Sequence, residues 1–304
     1  MILTITANPA IDRVYFVDDF EIGEVHRPER MTYSAGGKGL NVARVSKFLG
    51  EDVICMGFTG GYNGKFIQNE VSKLGIINAF TEIRGETRVC VNISVKSGKS
   101  GEILEPGPEV FDDEISNFII AFEENITKCD IISVSGSLPL GVPSDFYASL
   151  TEIAKKHNKK IIVDTSGDAL LKVIEAKPFM IKPNKFELSK FLGRETDIKE
   201  ALLLLNDKGI QFPLISLGKD GAAALIDGKF YKFSTPDIPV VNTVGSGDST
   251  IAGICTAISR GEDYISAIKL GMACGTANTQ FSQTGTVSRE LAEKYYKEIK
   301  TEEM

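Results

Sequence analysis

Histidine is almost absent from this 304-residue chain, which has only His26 and His157, and its five cysteines include no C-x-x-C pair. Two histidines without an H-E-x-x-H pattern argue against a histidine metal centre or a Ser-His-Asp triad. The cysteines at 55, 90, 129, 255 and 274 are odd in number, which fits reduced thiols in apolar settings rather than a disulfide framework or zinc site. No apolar run approaches the roughly 20 residues that cross a bilayer. Met1 leads straight into the strand-like segment 2–6 rather than a signal peptide, so a cytoplasmic protein is expected. The net charge of −7 removes the basic surplus on which nonspecific nucleic-acid or anionic-membrane binding depends. Common phosphate cradles are missing too. There is no G-x-G-x-x-G, Gly98-Lys99-Ser100 has Ile93 where a P-loop needs glycine, and the glycines of 36–41 have the wrong spacing. Any nucleotide site must therefore use another kind of cradle.

What is present describes a well-cored globular chain, 42% hydrophobic and 25% charged, without repeats, low-complexity tracts or disordered linkers. Runs rich in isoleucine and valine at 2–6, 53–58, 131–135, 161–164, 179–182 and 214–217 read as buried parallel strands. Between them, 40–49, 65–74, 113–128, 144–157 and 199–208 read as helices. That alternation predicts a doubly wound α/β fold with a mainly parallel sheet. Toward the C-terminus, 222–233 reads as a hairpin turning at Asp227-Gly228, followed by helices over 248–260, 264–281 and 288–300. Segments 12–34 and 87–104 break the rhythm: both are strand-like, and together they predict a small sheet acting as a lid above the strand ends where such folds bind ligands.

The most informative stretch is Asn242-Thr-Val-Gly-Ser-Gly-Asp248, followed by the helical apolar series Ile251, Ile254, Cys255 and Ile258. A helix start gathers free N–H groups and the positive end of the macrodipole, so it holds an anion. Asp248 reads either as an ordinary N-cap or as a base beside a phosphoryl cradle. Other polar groups also fall at strand ends. Asn8-Pro-Ala-Ile-Asp12 offers a carboxylate for hydroxyls, and Gly36, Gly37, Lys38 and Asn41 open a helix whose apolar face runs through Val42, Val45 and Leu49. Lys182-Pro-Asn184 with Glu187 follows one strand, and Ser216-Leu-Gly-Lys-Asp-Gly221 follows another.

Taken in order, these motifs, with Gly57-Phe-Thr-Gly-Gly61 and Ser135-Gly-Ser-Leu-Pro139, resemble the ribokinase-like sugar kinases over essentially the whole length, in particular the phosphofructokinase B family. The resemblance implies a single kinase domain over 1–304 with the β-sheet lid, ATP as donor, a magnesium requirement and a homodimer built through the lids. It makes Asp248 the catalytic base and the amides of Gly245, Ser246 and Gly247 the anion hole. It places Lys182 and Asn184 toward nucleotide phosphates, Glu187 on magnesium through water, Ser216, Gly218 and Gly221 along the nucleotide cleft, and Thr243 and Asn278 on its far wall.

The Asn242 and Val244 form of the motif looks like the hexose-phosphate kinase subgroup, and Lys38 supplies a cation for an anionic substrate. Arg88 on the lid, with Arg27, would complete a phosphate clamp, while Asp12, Gly37, Asn41 and Ser137 would meet sugar hydroxyls. Cys90 is their neighbour on the lid. The segments 85–90, 101–109, 270–273 and 283–285 look more like tagatose-6-phosphate kinase than 1-phosphofructokinase. The implied reaction makes tagatose 1,6-bisphosphate from tagatose 6-phosphate, with fructose 1-phosphate as the alternative acceptor. A noncatalytic sensor of sugar phosphate or nucleotide is the remaining reading, because fold alone does not fix function.

Overall fold

The computed structural model of the chain describes residues 1–98, 100–184, 187–188, 193–194 and 196–304. Lys99, and Lys185 and Phe186 of the motif at 182–187, lie outside the described residues. The chain starts with β1 (Ile2–Thr6), leaves the body as β2 (Ala10–Val17) and β3 (Arg30–Gly36), and returns through α1 (Lys38–Phe48). Next come β4 (Val53–Thr59), α2 (Gly61–Lys73) and the short β5 (Ile77–Asn78) and β6 (Thr81–Glu82). A second excursion, β7 (Val89–Val95) and β8 (Ser100–Leu104), precedes α3 (Asp112–Ile126), β9 (Ile131–Ser135), α4 (Phe146–Lys156), β10 (Lys160–Asp164), α5 (Gly167–Ala176) and β11 (Met180–Ile181). The remaining elements are α6 (Ile198–Asp207), β12 (Leu214–Ser216), β13 (Ala222–Ile226), β14 (Lys229–Ser234), α7 (Ser246–Ser259), α8 (Tyr264–Asn278), α9 (Arg289–Glu298) and β15 (Lys300–Glu303).

The central sheet runs β11-β10-β9-β1-β4-β5, all parallel, with β6 beside β4. Its central strands β1, β4 and β9 are buried at every position because helices cover both faces. Leu3, Ile5, Ile54 and Met56 meet Phe118, Phe122, Phe146 and Tyr147 on one side. Ile2, Ile131 and Ile162 meet Val42, Ile251, Ile254 and Ala273 on the other. The chain proceeds from β1 outward to β4 and then resumes on the opposite side at β9, so the switch point lies between β1 and β9. Connections diverge there and open a crevice at the C-terminal strand ends.

A four-stranded antiparallel sheet, β12-β13-β14-β15, continues the edge beyond β11 through the Asn184–Ser216 bridge. The expected hairpin turn is present, with Asp227 at φ 49° and Gly228 at φ 77°. The expected lid is a separate sheet, β3-β2-β7-β8, rooted where β2 and β3 meet the body. At the C-terminus, the helix expected over 288–300 ends at Glu298, and Lys300–Glu303 forms β15 on the open edge of β14. The helix expected to reach residue 281 stops at Asn278, and α5 was not anticipated. No helix among the described residues is long and apolar enough to cross a membrane.

Candidate active site

Helix α7 is held close to α8 by glycines: a Cβ on Gly253 would lie 2.6 Å from the Leu270 carbonyl oxygen, and one on Gly271 would lie 2.7 Å from that of Thr250. This packing aims the α7 N-terminus into the switch-point crevice. Gly245 caps it at φ 83°, a left-handed conformation that suits glycine. Asn242 shapes the approach by accepting the Val244 N–H at 3.0 Å and donating to the Ser282 carbonyl at 3.2 Å. Of the three amides expected to face an anion, Ser246 N–H already donates to the Thr243 carbonyl at 3.2 Å. Those of Gly245 and Gly247 have no protein acceptor among the described residues, so the open cradle is smaller than the motif implies.

Asp248, in the first turn of α7, is 6% exposed and accepts a hydrogen bond on Oδ2 from Asn41 Nδ2 at 2.8 Å. Burial, reinforced by the nearby Asp164 carboxylate, pushes its pKa up to about 6, against the lowering effects of Asn41, Lys38 and Lys182. The two lysines converge on Asp164 at the end of β10, with Nζ at 3.7 Å for Lys38 and 3.9 Å for Lys182. Asp164 in turn holds the Lys38 pKa above its usual value. A Cβ on Gly247 would sit 3.4 Å from Lys182 Nζ, so an ammonium group stands beside an open amide. The result is two cations, two free amides and one carboxylate with raised basicity around one crevice.

Asn184 and Glu187 form a reciprocal pair: Asn184 N–H donates to Glu187 Oε2 at 2.9 Å, and Glu187 N–H donates to Asn184 Oδ1 at 2.8 Å. Glu187 also raises the Lys38 pKa, which places it at the edge of the same charge cluster. Among the described residues, no three histidine, cysteine or acidic side chains gather to hold a metal.

The second half of the site lies at the lid root. Asp12, on β2, is pushed to a pKa of about 6 by burial, against the lowering pull of Arg44 and Arg88. Gly36 gives its carboxylate room, since a Cβ there would lie 2.1 Å from Asp12 Oδ2. Gly37, at φ 122°, is the α1 N-cap residue. Cys90 is buried opposite Asp12 in the lid register, and burial raises its thiol pKa. Arg88 donates to the carbonyls of Glu105 at 2.7 Å and Asn8 at 2.9 Å, which leaves one N–H on each terminal nitrogen for a ligand. Its Nε is buried without a partner. Exposed Ser137 accepts a bond from Asn8 Nδ2 at 3.4 Å. Arg27 is exposed between β2 and β3 and has no hydrogen bond or ion pair among the described residues, so the structure does not tie it to this cluster. A cavity of about 540 Å3 opens beside Arg88 against residues 105–109 and is not lined by Asp248, Lys38 or Lys182.

The remaining expected contacts are distributed differently. Ser216 closes β12 with its N–H on the Pro183 carbonyl, Gly218 is exposed at φ 61°, and Thr243 is exposed before α7. Gly221 is buried at φ 98°, where a Cβ would come within 1.8 Å of the Phe233 carbonyl oxygen, so close backbone approach requires this glycine. Asn278 is fully buried. Its Nδ2 donates to the Val244 carbonyl at 2.9 Å, and its Oδ1 accepts the Gly285 N–H at 2.9 Å. It braces the α7 turn from behind rather than presenting an amide to the cleft. Sequence reading missed Asp164 and Arg44. The signals were a carboxylate closing a parallel strand and a cation on the apolar face of α1.

Fold and cleft together define a sugar kinase of ribokinase-like architecture. The chain belongs to the pfkB family of carbohydrate kinases, whose family model matches residues 4–291. It is 35% identical to a candidate phosphofructokinase from Staphylococcus aureus, covering 100% of this chain and 99% of that one with a TM-score of 0.88. A candidate 1-phosphofructokinase from Thermotoga maritima is 27% identical, with 100% and 99% coverage and a TM-score of 0.89. The Escherichia coli phosphofructokinase-2 in complex with fructose-6-phosphate is 25% identical, with 98% coverage of each chain and a TM-score of 0.89.

Proposed function

We propose that the protein transfers the γ-phosphoryl group of ATP to the free exocyclic hydroxyl of a ketohexose phosphate, with tagatose 6-phosphate as the preferred acceptor. The observation that carries this reading is the buried Asp248 carboxylate, pKa about 6, between the lysine-flanked α7 mouth and the lid root. Asp248 takes the proton of the attacking hydroxyl, the hydroxyl oxygen bonds to the γ-phosphorus, and the bond to the β-phosphate oxygen breaks to release ADP. The amides of Gly245 and Gly247 with Lys38 and Lys182 stabilise charge on the transferring group, in a frame needing little reorganisation. Ser216, Gly218 and Thr243 line the nucleotide side, with Asn184 near its phosphates.

The donor set fits a magnesium ion carried mainly by substrate phosphates, because such ions need only one or two protein carboxylates. Glu187 would hold it through water, where it would neutralise phosphate charge.

Asp12, Gly37, Asn41 and Ser137 face the sugar, while Arg88, with Lys38, binds its phosphate and Cys90 packs beside them. Arg27 joins this clamp only if the 18–29 loop closes inward. The likeness of segments 85–90, 101–109, 270–273 and 283–285 to tagatose-6-phosphate kinase supports tagatose 6-phosphate. Similarity to the candidate 1-phosphofructokinase favours fructose 1-phosphate as the second reading. We assign residues 12–34 and 87–104 as the lid of a single 1–304 domain, and its exposed apolar face as the contact of a cytoplasmic homodimer. Asp248→Ala tests the catalytic assignment: turnover should fall by roughly a thousandfold or more with sugar binding retained. Parental turnover in that variant would refute the base, and a parental protein that binds sugar phosphate without turnover would be a sensor.

A further inference from the structure

Arg44 lies on α1 three residues beyond Asn41 and is 9% exposed, yet its guanidinium reaches three separate segments. One terminal nitrogen donates to the Ala35 carbonyl in lid strand β3 at 2.6 Å. The other donates to Asn41 Oδ1 and to the Thr284 carbonyl, both at 3.1 Å. The Thr284 loop packs on the α7 cap, since a Cβ on Gly245 would lie 2.6 Å from Thr284 Cγ2. Gly285 is equally confined, and its Cβ would meet Asn41 Oδ1 at 2.7 Å and Arg44 at 2.9 Å.

A guanidinium carries only donors. The end of the Asn41 amide that faces it must therefore be the oxygen, and the NH2 end must face Asp248. A reversed amide would set its oxygen against the Asp248 carboxylate, two acceptors in a buried place, at a cost comparable to an unmade charged hydrogen bond.

We infer that Arg44 is a positioning residue that locks the Asn41 amide so that Asp248 is held through Oδ2 and keeps Oδ1 for the substrate proton, and that links this lock to lid strand β3 through Ala35. The inference rests on Asp248 being the base. Among the described residues, no donor other than Arg44 is hydrogen-bonded to Asn41 Oδ1. Arg44 is faced by Asp12 from β2, Cys55 from β4, Glu70 from α2 and Asp248 from α7. Asp248 is faced by Asp164 from β10, Lys38 from α1 and Lys182 after β11. Glu70 is engaged by Lys73 at 2.6 Å. Keeping a cation in this buried position costs desolvation, which Asp12 and Asp248 offset only in part.

The test compares Arg44→Met, Arg44→Lys, Asn41→Ala and the Arg44→Met/Asn41→Ala double variant in full-length protein, by ADP release against pH with thermal melting as the folding control. Arg44→Met should lower kcat roughly 10–100-fold and move the acid limb upward by about half a pH unit or more, with the KM for ATP unchanged. Arg44→Lys should recover part of both effects. The double variant should be no slower than Asn41→Ala alone, because one group acts through the other. A parental acid limb in Arg44→Met, or additive losses in the double variant, overturns the inference. If Arg44→Met does not fold, Arg44→Lys in the Asn41→Ala background carries the same additivity test. Asp248→Asn separates the two levels. Parental activity in Asp248→Asn removes the base assignment, whereas an inactive Asp248→Asn with unshifted Arg44 variants removes only the role of Arg44.

Discussion

Burial suits Asp248, the proposed base, to work near neutral pH. In water a carboxylate is a weak base, but at a pKa of about 6 it binds a proton far better while remaining mostly ionised at pH 7. The kcat for ADP formation should therefore rise with pH through about 6 and then level off; a rate flat from pH 5 to 8 would contradict this role. The same shift acts on stability. Between 3.8 and about 6 the folded protein holds a proton at Asp248 that the unfolded chain has released. Its favourable contribution is thus complete below 3.8 and is lost as pH rises through about 6. Asp248→Asn should be more stable than the parent at pH 7, by roughly 2–3 kcal/mol at most, and the gain should vanish below pH 4, as checked by denaturant unfolding at both pH values. Arg88, with a free N–H on each terminal nitrogen, should act on the acceptor alone. Arg88→Ala should raise the KM for sugar phosphate about tenfold or more, with little change in that for ATP, and equal effects on both would count against the clamp.

Elements convert these residues into a site through close backbone approaches. The β3–α1 junction is the clearest case, because Gly36 leaves no space for a side chain beside Asp12. A Cβ there meets the end of a movable carboxylate rather than backbone, so Gly36→Ala should fold but displace Asp12. Steady-state kinetics should show lower kcat/KM for the sugar phosphate with an unchanged KM for ATP, whereas parental kinetics would deny Asp12 a sugar contact. Apart from α5 and from 214–217, expected as a parallel strand but paired antiparallel with β13, the strands and helices of the α/β body were legible because their apolar periods match their burial, and the lid sheet because 12–34 and 87–104 interrupt the alternation. The C-terminal strand was not legible: 288–300 carries a helical pattern, and only the vacant edge of β14 turns Lys300–Glu303 into a strand. The site shows the same division. Asp248, Lys38 and Asn41 sit in a recognisable pattern, whereas Asp164 and Arg44 act through partners distant in sequence, Thr284 being 240 residues from Arg44, which no local pattern reveals. Ser246 and Asn278 illustrate the converse. Their positions fit the motif, but their hydrogen-bonding groups serve the turn itself.

At the scale of the molecule, a chain of net charge −7 gathers Lys38 and Lys182 around Asp164 and Arg44 and Arg88 around Asp12, two local concentrations of positive charge in an acidic protein. The lid sheet carries Ser34, Asp12 and Cys90 side by side on one face. Its opposite face carries Tyr33, Arg13, Val91 and Ile103 in one cross-strand row, with the Arg13 guanidinium over the Tyr33 ring and Ile103 62% exposed. If this row forms the proposed dimer contact, Ile103→Glu should shift the protein to monomers in sedimentation velocity, and an unchanged dimer would place the contact elsewhere. Whether the protein is a kinase for ketohexose phosphates is read from ADP release with Mg-ATP, comparing kcat/KM for tagatose 6-phosphate, fructose 1-phosphate and fructose 6-phosphate. Turnover should be highest on tagatose 6-phosphate; highest turnover on fructose 1-phosphate would replace the acceptor, and no turnover on any of the three would refute the kinase.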